Sequence, residues 1–139
     1  AYFRFQEAAV RRGRLGMANA LRVRCVSTTG ADFVPGATAG PGLIIRHPVG
    51  VVVGRGVRLG ANCILSQSVT LGERKVDGTE SAQGYPRVGD RVSISTGACL
   101  LGGIVVGDDV VVGAGAVVLN SVAAGAVVAG VPARPIRNQ

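Results

Sequence analysis

Histidine occurs once in this chain of 139 residues, tryptophan not at all, and cysteine only at positions 25, 63 and 99. One histidine per chain is too few for zinc centres that take three histidines at each subunit interface. Cys25, Cys63 and Cys99 show no close pairing and no metal-ligand spacing, so neither a disulfide framework nor a metal site is expected. Aromatic residues are also scarce, with three Phe and two Tyr, which leaves small aliphatic side chains to fill a core. No apolar run approaches the roughly 18 to 20 residues of a membrane span, and the first residues lack the pattern of a secretory leader. One soluble, cytoplasmic domain is expected.

Basic residues outnumber acidic ones by fifteen to eight, and the excess is concentrated in residues 1–24, which hold six Arg and one Glu. Phe3, Val10, Met17 and Leu21 recur there near helical spacing. They predict an irregular helix over 2–22, weakened by Gly13 and Gly16, that covers the open end of the fold behind a solvated Arg face. The segment has no interleaved aromatics and no recognised binding module, so nucleic acid is not expected as a partner.

Two things are abundant: glycine, at 22 residues, and a six-residue beat. Val88, Ile94, Leu100, Val106, Val112 and Val118 recur every six residues, with Val92, Ala98, Ile104, Val110, Ala116 and Val122 four places after each. Such a unit cannot bury its apolar side alone and needs stacked copies of itself. The same frame runs back through Phe33, Ala39 and Ile45, then Val53, Leu59, Leu65 and Leu71, which makes Val51–Val52 a two-residue insertion. Three short extended sides, with glycine and aspartate accepting the bends, predict a parallel β-helix of triangular coils over residues 25–136, followed by a tail at 137–139. From Gly72 to Arg87 the beat lapses into a polar stretch without periodicity, predicting a loop over 72–87 that leaves the stack. Cys63 falls at a fifth, inward position and is expected as a small core residue; Cys25 and Cys99 have no assigned role.

His47 lies in GLIIRHPVG at 42–50. With Ile45 as the first inward residue and Val49 as the fifth, His47 takes the third place and projects outward near a corner. An imidazole with an unperturbed pKa near 6.5 suits proton transfer there.

Four segments carry a resemblance: GLIIRHPVGVVVG at 42–54, CILSQSVTLG at 63–72, YPRVGDRVSISTGACLLGGIVVGDDVVVGAGAVV at 85–118 and GVPARPI at 130–136. In this order they resemble the serine acetyltransferase group of hexapeptide acyltransferases over about residues 25–136. The resemblance implies a left-handed, all-β coil, a homotrimer, and acetyl-CoA as acyl donor with no metal. It implies His47 as general base in a cleft between subunits, and Gly72, Gly97 and Ala114 lining the groove for the pantetheine arm. Gln67 matches a position beside the cleft, and Arg134 lies where the family chain nears the cofactor's phosphates.

Departures from the family pattern fall on the acceptor side. Arg46 stands where the family has an Asp that orients the histidine, and Gly84–Tyr85 replaces an Arg–His pair. Gln139 replaces the terminal Ile that docks on cysteine synthase, so that docking is not expected. GER at 72–74 and GYP at 84–86 are more similar to the glycan O-acetyltransferases of the group. The expected acceptor is therefore a small-molecule or glycan hydroxyl, met by Arg46, Gln67 and Tyr85, ahead of serine as in cysteine biosynthesis. A third class, a non-catalytic β-helix scaffold, is compatible with the same stack.

Overall fold

The computed structural model describes residues 2–74 and 84–136. Two helices lead in, α1 over Tyr2–Arg11 and α2 over Leu15–Thr29. The single irregular helix expected over 2–22 is thus broken in two, because Gly13 takes a φ of 68°, a left-handed conformation that an α-helix cannot continue through. Gly16 is tolerated inside α2, which runs past residue 24 to Thr29. It ends on Gly30 (φ 74°), whose N–H donates to the Val26 carbonyl at 2.9 Å.

α1 closes the first coil. Phe3 packs on Phe33 with ring centroids 4.5 Å apart, and Gln6 Nε2 donates to the Phe33 carbonyl at 2.6 Å. The Ala39 N–H donates to Glu7 Oε1 at 3.1 Å, and the Arg4 guanidinium donates to the carbonyls of Ala39 and Gly40. These main-chain groups belong to a coil with no coil beneath it, so the helix supplies the partners that an edge strand lacks. Arg22 holds α2 to the first strand through two bonds to the Asp32 carboxylate, at 2.6 and 2.7 Å.

From Ala31 onward the chain winds as a left-handed parallel β-helix with three faces. The first face stacks Asp32–Phe33, Val52–Val53, Thr70–Gly72, Cys99–Leu101 and Val117–Val118. The second stacks Thr38–Ala39, Arg58–Leu59, Arg87–Val88 and Val105–Val106. The third stacks Ile44–Ile45, Ile64–Leu65, Ser93–Ile94, Val111–Val112 and Val127–Ala129, and Arg134–Pro135 returns antiparallel on its last strand. Pairing is in register, as in Ile44, Ile64, Ser93 and Val111 on the third face. Arg87 resumes beside Arg58, so the stack is unbroken on either side of the stretch expected as a loop. Residues 75–83 of that stretch lie outside the described residues.

The first and fifth hexad positions fill the interior. Val53, Leu65, Leu71, Ile94 and Leu100 are fully enclosed, as are Val57, Val69, Val92 and Val110 at fifth positions. Each is worth about 1.5–3 kcal/mol relative to an exposed side chain. Cys63 sits among them, its Sγ 3.2 Å from the Gly89 carbonyl, and burial pushes its thiol up. Cys99 takes an outward, half-buried place on the first face.

One corner departs from the expected frame. Val49 is 67% exposed and Val51 is fully buried, so Val51 is the inward fifth residue and the two extra residues fall before it. The bonds of the corner fix this count: the Val51 N–H donates to the Pro48 carbonyl at 3.1 Å, and the Ser68 N–H to the Val49 carbonyl at 3.0 Å. The insertion therefore widens the turn that carries His47 and leaves the strand after it unchanged.

Candidate active site along the His47 edge

Each coil turns three corners, and the corner between the third and first faces carries His47, then Gln67, Thr96 and Ala114 on the coils above. All four hold the third hexad position, so a rise of about 4.8 Å per coil strings them along roughly 14 Å of one edge. His47 is exposed and has a φ of 55°, uncommon for a residue with a Cβ. An ordinary corner has one left-handed residue at the fourth position, such as Ser68 (φ 57°) or Gly97 (φ 70°). The widened corner has two, His47 and Gly50 (φ 75°), and so lifts the imidazole clear of the prism.

Main-chain bonding along this edge is one-sided. The Gly97 N–H donates to the Gln67 carbonyl at 3.0 Å and the Gly115 N–H to the Thr96 carbonyl at 2.8 Å. The N–H groups of Gln67, Thr96 and Ala114 have no acceptor among the described residues. A Cβ built on Gly97 or Gly115 would meet nothing within 4 Å, so the space in front of these donors is open. A file of spare amide donors beside an exposed base can hold carbonyl oxygens of an extended ligand and an oxyanion near the imidazole. Thr96 was not among the residues picked from the sequence. Counting third positions up from His47 is the signal that finds it.

The expected site residues divide between two edges. His47, Gln67, Gly97 and Ala114 share this one, and Arg46 precedes it, exposed, with its N–H on the Leu65 carbonyl at 2.7 Å. Gly72 and Tyr85 lie at the next corner, between the first and second faces. Tyr85 lays its ring on bare backbone, where a Cβ at Gly54 or Gly56 would collide with it. Its hydroxyl bonds to Glu73, which raises the phenol's pKa together with desolvation, against an opposing effect of Arg55. Arg134 is exposed at the C-terminal end of the prism, beside a cavity of about 350 Å³ that Ser121 and Ala133 also line. Among the described residues no three His, Cys, Asp or Glu side chains are grouped so as to hold a metal ion.

No family model matches the chain. A serine acetyltransferase of Helicobacter pylori J99 is 38% identical over 136 residues, spanning 96% of this chain and 77% of that protein. The chain belongs to the serine acetyltransferase family. The Staphylococcus xylosus serine acetyltransferase is 41% identical over 109 residues, 78% of this chain but 49% of its own length. The chain spans about half the length of several such relatives. Among solved structures, a soybean serine acetyltransferase apoenzyme superposes with a TM-score of 0.90 at 36% identity, covering 97% of this chain and 55% of the other. The soybean enzyme complexed with serine is similar to the same degree.

In this member of the family, the split between edges has a direct consequence. His47 and Tyr85 occupy different corners of one prism, so a single subunit does not bring both to one reacting group. Arg46, beside the imidazole where the family pattern has an acid, cannot orient it by accepting a hydrogen bond. Among the described residues the His47 side chain makes no hydrogen bond at all.

Proposed function

We propose that this chain transfers an acetyl group from acetyl-CoA to the hydroxyl of serine, with His47 as general base. The observation that carries this is the exposed imidazole at the foot of a file of unused backbone donors, in a chain of the serine acetyltransferase family. His47 takes the hydroxyl proton as the oxygen attacks the thioester carbonyl. The carbon–sulfur bond then breaks, and the imidazolium returns the proton to the departing thiolate, giving O-acetylserine and coenzyme A. Gly97 and Ala114 leave room for the pantetheine arm, spare N–H groups receive its carbonyls, and Arg134 meets phosphate at the far end.

Completion of the site falls to a homotrimer in which a second subunit supplies the Gly72–Tyr85 edge. Composition of the third face supports self-association: it presents Ile44, Ile64 and Val111 outward with Ser93, whereas the second presents Thr38, Arg58 and Arg87 with Val105. Ile44 alone is 51% exposed in the single chain. Light scattering giving a monomer at working concentration would sink the trimer.

The relatives named above are serine acetyltransferases, which supports serine over the glycan hydroxyl expected from the loop residues. A second reading keeps the same chemistry with a sugar hydroxyl, favoured by Arg46 and Tyr85 at the acceptor-side positions. Labelled acetyl-CoA offered with serine, homoserine, nucleotide sugars and oligosaccharides separates them. Acetylated serine is expected; label on a sugar alone overturns serine as acceptor. No transfer, together with no thermal shift by acetyl-CoA, would leave a scaffold.

A further inference from the structure

We propose that the turn between α1 and α2 docks on the surface of an anionic lipid bilayer. Residues 11–17, RRGRLGM, are exposed without a break. A Cβ built on Gly13 or Gly16 would meet nothing within 4 Å, so no other part of the chain leans on this turn. Leu15 is 59% exposed and Met17 49%, and Phe5 on α1 is 63% exposed. Phe5 and Met17 line one groove of about 380 Å³ together with Leu21, Arg12 and Arg14, so the apolar and basic groups form a single patch.

The charge of this patch has one sign. Elsewhere on the two helices arginine is answered, Arg4 by Glu7 and Arg22 by Asp32. Among the described residues Arg11, Arg12 and Arg14 meet no carboxylate, and Glu7 is the only acidic residue before Asp32. A second copy of the patch would set arginine against arginine. Lipid phosphates supply the missing sign, and the boundary between headgroups and acyl chains accepts Leu15, Met17 and Phe5 beside the arginine stems. Among the described residues no helix is long and apolar enough to cross a bilayer, so the contact stays at headgroup depth. The turn lies at the opposite end of α2 from Gly30, which abuts Val49 in the corner of His47; fifteen helical residues put about 22 Å between them along the axis. Docking there leaves the His47 edge uncovered.

Co-sedimentation of the full chain with vesicles, without acyl donor or acceptor, tests this independently of the proposed acetyl transfer. Phosphatidylcholine vesicles carrying about one-third phosphatidylglycerol should pellet the protein, more weakly as salt rises, and pure phosphatidylcholine should not. Arg11→Gln, Arg12→Gln and Arg14→Gln combined should weaken binding about a hundredfold, and Leu15→Ser with Met17→Ser about tenfold. Arg58→Gln with Arg87→Gln, on the second face, should change it less than about twofold. A loss there as large as in the triple variant would mean that net charge holds the vesicle, and overturns the patch. The chain has no tryptophan, so Met17→Trp adds a single reporter whose emission should shift to the blue on anionic vesicles. Unshifted emission overturns insertion of the turn. Tighter binding to a DNA duplex than to these vesicles at equal salt overturns lipid as the partner.

Discussion

The His47 edge and the edge between the second and third faces are built from the same hexad and treat their main chain in opposite ways. On the latter, third-position N–H groups are taken up by the next coil: Ala61 donates to Asp90 Oδ1 and Asp90 to Asp108 Oδ1, each at 2.8 Å. The coils also press together there, since a Cβ on Gly60 or Gly89 would run into the carboxylate and main chain of the coil above. On the His47 edge the corresponding donors at Gln67, Thr96 and Ala114 have no acceptor among the described residues, and the space before Gly97 and Gly115 is open. One edge uses its polar groups to bind coil to coil, and the other leaves them open to the ligand proposed for it. On that proposal stability and function fall to different corners of one repeating unit.

That contrast is most easily broken at its extreme residues. His47→Ala is expected to lower acetyl transfer by about a hundredfold or more, roughly 2.7 kcal/mol of barrier, with the melting temperature and acetyl-CoA binding unchanged. A loss below about fivefold in steady-state assays would remove the imidazole from the chemistry. Gly89→Ala, on the closed edge, should cost about 2 kcal/mol in denaturant unfolding, because its new methyl meets main-chain atoms of Gly107 and Asp108 that cannot swing aside. Gly97→Ala, on the open edge, has room and strains only its φ of 70°, for about 1 kcal/mol. If the two alanines cost the same, the edges do not differ in packing as described.

The beat made the coil legible: Val53, Leu65, Ile94 and Leu100 are inward in the structure as the six-residue count places them. The count failed where valines crowd. Val49, Val51, Val52 and Val53 are equally apolar, so periodicity alone cannot say which of them the insertion displaces, and only the corner's hydrogen bonds decide. His47 was visible as the lone imidazole at an outward position. Its open surroundings were not, because spare N–H groups belong to the backbone and leave no trace in side-chain identity. Thr96 went unnoticed for that reason. The aspartate ladder did leave a trace, Gly89–Asp90 repeated eighteen residues on as Gly107–Asp108, one full coil of three hexads. Counting corners in threes would also have separated Tyr85 from His47 before any coordinates.

On the closed edge, Asp90→Ala is expected to cost about 1–2 kcal/mol by orphaning the Ala61 N–H, read as a lower denaturation midpoint with unchanged slope. Arg91 stands beside it on the exposed surface, gripping Asp109 at 2.7 and 2.9 Å, with Asp108 at 3.9 Å. Its guanidinium holds the Asp109 carboxyl below the usual carboxylate range. A depressed folded-state pKa contributes stability above the unfolded-state value, near 3.9, and loses it as pH falls through the folded-state value. Arg91→Met should therefore give the smallest change of the set, present throughout the pH range above about 4 and fading in both salt and strong acid. Melting curves of the two variants across pH settle what holds the edge shut. If Arg91→Met at neutral pH costs as much as Asp90→Ala, exposed ion pairs carry the closure and the carboxylate-to-backbone ladder does not.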